Sequence, residues 1–142
     1  LDLANKVGPF EAGYLSALLP SLRTLTHLDL SNNSLGGFWD EESGDYVEFP
    51  YHLSLLLNSV DRVQSLNLSG NLIGCKGGYE LSLALGTATA LTSLELQDAP
   101  VGGDSASALL LSMSRNCPNL TALDLSTSEE TEGMWSTDAL SQ

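Results

Sequence analysis

Five short L-x-L triplets recur along the chain at a nearly constant stride, and no other feature limits the possible folds so sharply. Their first leucines are Leu1, Leu28, Leu66, Leu94 and Leu123, spaced 27, 38, 28 and 29 residues apart. The same ruler places other apolar residues. Three positions before the triplet stand Leu25, Val63, Leu91 and Leu120, and six before it Leu22, Val60, Ala88 and Cys117. Between triplets lie the i,i+4 pairs Leu15 and Leu19, Leu53 and Leu57, Leu81 and Leu85, Leu109 and Met113, each on one helical face. In the second unit the pair arrives late, so the long stride holds an insertion between Gly36 and Leu53.

Each unit therefore reads as a strand, a turn, a helix and a return. Alternation along the strand points Leu28 and Leu30 inward and His27, Asp29 and Ser31 outward. A single unit cannot bury its own apolar strip. Stacked units can, with the strands forming a parallel sheet and the helices an outer layer. Pro9, Pro50, the pair Gly77 and Gly78, and Asp104 mark helix starts, which predicts helices over roughly 10–20, 51–60, 78–88 and 104–116.

These motifs resemble the leucine-rich repeat family. The long units with "NLIGCKGGYELSLAL" are similar to its ribonuclease-inhibitor-like subclass, and "NCPNLTALDLS" to the cysteine-containing subclass of substrate adaptors. The resemblance implies an α/β horseshoe segment of about five repeats, with a parallel β-sheet on the concave face and helices on the convex face. It also implies a binding role, since such folds host many unrelated partners. The family's turn asparagine, five residues after the first leucine, is matched by Asn33 and Asn71, whereas Ala99 and Ser128 replace it later. The side-chain ladder is thus expected to break toward the C-terminus. Beyond Leu125 the text "STSEETEGMWSTDALSQ" loses the pattern and reads as an irregular loop with the beginning of a fifth helix. Neither end carries a recognisable cap, so the chain is expected to be one repeat domain, residues 1–142, within a longer protein or assembly.

Charge excludes some functions. Eighteen acidic residues against five basic ones give a formal charge of -13, and Lys6, Arg23, Arg62, Lys76 and Arg115 are too few and scattered for a nucleic-acid footprint. No apolar run reaches the ~18 residues of a membrane span.

The outward position at mid-strand collects Asp2, Asp29, Asn67, Glu95 and Asp124. Neighbouring strands lie about 4.8 Å apart, and like charges at that distance repel by roughly 3 kcal/mol at an effective dielectric near 20, or under about 1 kcal/mol in water. Two readings stand: an acidic strip that attracts a protein partner with a basic surface, or a solvated face. Flanking positions are small and polar, without the Trp, Tyr and Arg anchors that dominate many interfaces.

The insertion, residues 37–50, sets Phe38, Trp39, Tyr46 and Phe49 among Asp40, Glu41, Glu42, Asp45 and Glu48. "ESGDY" reads as a turn between the arms "GFW" and "YVEF", hence a hairpin. Phe38, Trp39, Glu41 and Tyr46 are candidate partner contacts, or else the aromatics fold back over the rim.

No catalytic constellation is legible. His27 and His52 lack a nucleophile partner, "GNLIGCKGG" has the wrong spacing for a phosphate loop, and no metal or cofactor is implied. Cys75 belongs to a loop before a helix and Cys117 to the core phase, too far apart to bridge, which points to a reducing cytoplasmic setting. Sequons at Asn32, Asn67 and Asn119 point weakly the other way. Similarity to the Ran GTPase-activating protein, through the N-x-I-G-x-x-G form of Asn71 to Gly77, offers a regulatory alternative. Ligand-reading repeats of NOD-like receptors or ubiquitin-ligase adaptors offer another.

Overall fold

The computed structural model describes residues 1–48 and 50–128, and for Pro9, Trp39, Tyr46, Glu48 and Pro50 the backbone alone. In chain order the elements are α1 (Pro9–Leu18) with a 3-10 turn (Leu19–Ser21), β1 (His27–Asp29), β2 (Gly37–Asp40), β3 (Asp45–Glu48) and α2 (Pro50–Leu57). There follow β4 (Ser65–Asn67), α3 (Gly74–Ala84), β5 (Ser93–Glu95), α4 (Gly103–Asn116) and β6 (Ala122–Asp124). Strands β1, β4, β5 and β6 form a parallel sheet in that order. Their registers set Leu28, Leu66, Leu94 and Leu123 side by side. Asp2 continues the series through a parallel bridge to Asp29. The triplets lie abreast, as their spacing requires.

The helices pack in sequence, α1 on α2, α2 on α3 and α3 on α4. Between the layers lies one core. Leu28, Leu30, Leu66, Leu68, Leu94 and Leu96 are all at most 2% exposed. Leu19, Leu53, Leu57, Leu81, Leu85, Leu109 and Met113 meet them from the helices. Fully burying such a side chain contributes about 1.5–3 kcal/mol, so the repeating phases outweigh the weak helix propensity of segments rich in Gly and Ser.

Three expectations change. Helix α3 begins at Gly74, not near residue 78, so Cys75 lies in its first turn instead of a loop. Gly77 and Gly78 are buried helical residues rather than a helix start. A Cβ on Gly78 would come within 2.7 Å of the Val101 carbonyl oxygen, and one on Gly77 within 2.9 Å of Leu53. They are glycines because neighbouring units press on both sides of α3. Leu22 has the phase of buried Val60, Ala88 and Cys117 and the same local backbone bonds as Val60 and Ala88, yet it is 43% exposed, because it belongs to the first unit, whose helix α1 packs, among the described helices, only against α2. Ser31, expected outward, is buried at the turn, where its N–H donates to Asp29 Oδ1.

The insertion is a hairpin, as expected. Its strands β2 and β3 pair antiparallel, with Phe38 opposite Val47 and Trp39 opposite Tyr46. Asp40 ties the turn: its carboxylate accepts from the Glu42 N–H at 3.1 Å and the Ser43 hydroxyl at 2.8 Å. Gly44 supplies the left-handed residue, φ +71°. The hairpin packs through β3 against α3. The loop and helix expected after Leu125 fall mostly within 129–142 and lie outside the described residues.

Candidate functional site: an ordered strand-face strip

Register places Asp2, Asp29, Asn67, Glu95 and Asp124 in one row across the sheet. Backbone bonds hold the row at equal steps. Asp29, Asn67, Glu95 and Asp124 carbonyls accept from Leu3, Leu30, Leu68 and Leu96, at 2.8, 2.9, 2.9 and 2.8 Å. Neutral Asn67 separates the acids into two adjacent pairs, Asp2 with Asp29 and Glu95 with Asp124. Asp2 also meets Lys6 at 4.0 Å, an exposed pair of little energetic weight.

Four members turn a side-chain oxygen onto the chain two residues ahead. Asp2, Asn67 and Asp124 accept from the N–H of Ala4, Ser69 and Ser126 at 3.0, 3.0 and 2.8 Å, and Asp29 repeats the pattern with Ser31. Such a local bond favours short Asp or Asn at a turn. At Asp124, bonds from the Ser126 hydroxyl and N–H hold the carboxyl below its ordinary range. These residues therefore have a folding role whatever they bind. Glu95 is too long for the bond. The N–H two residues on, from Gln97, goes instead to Ser69 Oγ at 3.2 Å, and among the described residues the Glu95 carboxylate makes no hydrogen bond or ion pair. It lines a shallow polar groove of about 260 Å³ with Asn67, Gln97 and Asp98. The sequence hid this distinction, although Glu in a column of Asp and Asn was its visible signal.

The hairpin candidates stand apart from the row, on elements that pack toward α3. Phe38 is 41% exposed and Glu41 is exposed. Trp39 and Tyr46 are cross-strand partners in the backbone, and their side chains lie outside the described residues. Bonds from the Ser43 hydroxyl and Glu42 N–H hold the Asp40 carboxyl low, so the tip stays anionic.

Sequence reading missed the helix surface. Phe10, Tyr14, Tyr51, Tyr79, Leu83 and Leu111 are each at least half exposed there. Tyr51 and Tyr79 share a phase, two residues before Leu53 and Leu81, which could have revealed them. His52 lies edge-on to the rings of Phe10 and Tyr51, with centroids 5.5 and 5.6 Å away. His27 Nδ1 is 2.8 Å from Thr26 Oγ1. Cys75 is an exposed thiol and Cys117 a buried one, both unbridged. Burial raises the Cys117 pKa. Among the described residues no group of three His, Cys, Asp or Glu is arranged to hold a metal ion, and no helix is long and apolar enough to cross a membrane.

Residues 21–37 match a family model described as a leucine-rich repeat. In three dimensions the chain is similar to the solved structure titled "Leiomodin-1 Actin-Binding Site 2 (ABS2)", with a TM-score of 0.58 and 14% identity over 93% of this chain and 87% of that one. At this identity the likeness is one of fold. No curated protein matches. The family match thus covers one repeat, and over the rest of the chain the likeness is one of fold.

Proposed function

We propose that this chain is a non-catalytic protein-interaction scaffold, a stretch of five stacked repeats from a curved solenoid within a larger cytoplasmic protein or assembly. Its strand face receives a partner with a basic surface. The observation that carries the reading is the row Asp2, Asp29, Asn67, Glu95 and Asp124, with Glu95 as its uncommitted carboxylate. A stacked sheet presents such a row without ordering cost at binding, and the net charge of -13 draws cations toward it. The hairpin, through Phe38, Trp39, Glu41 and Tyr46, is a second contact for the same partner. A protein-interaction role also fits the leucine-rich repeat match and the fold shared with a leiomodin segment titled as an actin-binding site. Two unbridged cysteines favour a reducing compartment. The GTPase-activating alternative gains no support from any of these findings.

The test is affinity capture of the native partner at several salt concentrations by the wild type, by Glu95→Gln, and by Asp29→Asn with Asp124→Asn. The Asn variants keep an acceptor for the turn bonds and remove only charge. Expected are losses of about tenfold, equivalent to about 1.4 kcal/mol, with a flatter salt dependence. Equal capture at every salt concentration overturns the strip's role. Replacing residues 38–49 by a short link tests the hairpin in the same assay.

A further inference from the structure

The return segments after α1 and α2 enclose a second groove, away from the strand face, of about 420 Å³. Three features distinguish it. Leu22, which the repeat phase assigns to the core, is 43% exposed and lines it together with Pro20 and Leu25. Two of the chain's five basic residues, Arg23 and Arg62, line the same groove. Among the described residues neither makes an ion pair, in a protein with 18 acids.

We propose that this groove docks a segment of a partner protein that brings one large apolar side chain beside a carboxylate. The apolar group covers Leu22 and Leu25, and the carboxylate meets the two guanidiniums, whose planar forks suit bidentate pairing. Charge complementarity selects this occupant. Asp61 also lines the groove and disfavours a phosphate dianion, and the acidic chain repels polyanions. The net charge gives an acidic segment no long-range steering, so recognition depends on contact and the partner arrives through another surface. The groove is independent of the strand-face reading.

Two fluorescein-labelled octapeptides test it, one with a central Phe-Leu flanked by glutamates and the other with glutamines instead, titrated into the ¹⁵N-labelled chain. Shifts are expected at the amides of Leu22, Arg23, Leu25, Arg62 and Val63. The wild type should bind the glutamate peptide at least tenfold more tightly than the glutamine peptide, and Arg23→Gln plus Arg62→Gln should remove that difference. Arg62→Glu should recover binding of a lysine-flanked peptide, and Glu95→Gln should change nothing, which separates this test from that of the strip. Absence of shifts, equal binding of the two peptides, or the same shifts with inorganic phosphate overturns the proposal. So does concentration-dependent sedimentation abolished by replacing residues 38–49, because the occupant would then be the acidic hairpin of a second copy.

Discussion

The turns after the Asp2 bridge, β1 and β4 and the turn after β5 follow one backbone course but are held differently. Asn5, Asn32, Gly70 and Asp98 occupy equivalent left-handed positions, φ +56°, +53°, +68° and +52°. Their N–H groups donate to Ser31, Ser69, Gln97 and Ser126 at 3.1, 2.7, 2.8 and 2.9 Å. This backbone ladder runs unbroken to Ser126. The side-chain ladder does not. Asn33 is buried, donating to the Leu3 and Leu30 carbonyls and accepting from Val7 N–H. Asn71, fully buried, donates to Leu30 and Leu68 and accepts from Leu35. At Ala99 that bridge is missing. The Leu96 carbonyl is met by Ala99's own N–H at 3.2 Å, and the Asp98 carboxylate reaches forward to the Ser128 N–H. The backbone ladder thus defines the repeat. The asparagines add neutral side-chain bonds between units, and where they stop, a carboxylate takes over part of the task.

Removing the asparagines tests this difference most severely. Asn71→Ala leaves the Leu68 carbonyl and the Leu35 N–H without their side-chain partner in a dry turn, while the Leu30 carbonyl keeps its bond from Asn33, and each orphaned group costs about 1–3 kcal/mol. A loss of about 3–4 kcal/mol in urea unfolding is expected, with a smaller loss for Asn33→Ala nearer the edge. Losses below about 1 kcal/mol at both positions would mean that the backbone ladder suffices throughout.

How much was legible before coordinates follows from the same residues. The core phases and the parallel stacking were written in a period of about 28, because they depend on equivalent residues at equal steps, the break at Ala99 showed as a departure from it, and the hairpin was legible locally, from the turn "ESGDY" between its two arms. The start of α3 was hidden, since Gly77 and Gly78 read locally as breakers while their reason lies in adjoining helices. Leu22 misled because a shared phase buries a residue only where units stack on both sides of it, and among the described helices α1 packs only against α2. Of the candidate site, the row itself was legible, but the commitment of Asp and Asn to turn bonds, and the freedom of Glu95, depend on geometry. The arginine groove was invisible, because Arg23 and Arg62 sit one step out of phase in segments without a motif.

A milder test addresses Asp98. Asp98→Asn keeps both an acceptor and tolerance of positive φ, so its stability should change by less than about 0.5 kcal/mol. Asp98→Ala loses the bond and strains the left-handed position, which costs about 1–2 kcal/mol. Equal effects of the two would show that the bond to Ser128 carries nothing.

The smallest effect is with pH. A carboxyl held low in the folded state adds stability that is present above its unfolded pKa and is lost as pH falls through the folded value. Asp124 belongs to this class, whereas the bonds of Asn33 and Asn71 do not titrate. On acidification below the usual carboxylate range, hydrogen-exchange protection should fall at Ser126 before Leu35, and Asp124→Asn should remove that order. Simultaneous loss would erase the distinction between the two ends.

The insertion joins the repeat after the left-handed turn and before the helix, and β4 still meets β1 in the register that β5 keeps with β4. That junction is a natural port for grafting. A foreign epitope, a fluorophore-binding tag or a crosslinking handle in place of residues 38–49 would ride on the molecule while the neighbouring repeats keep their step.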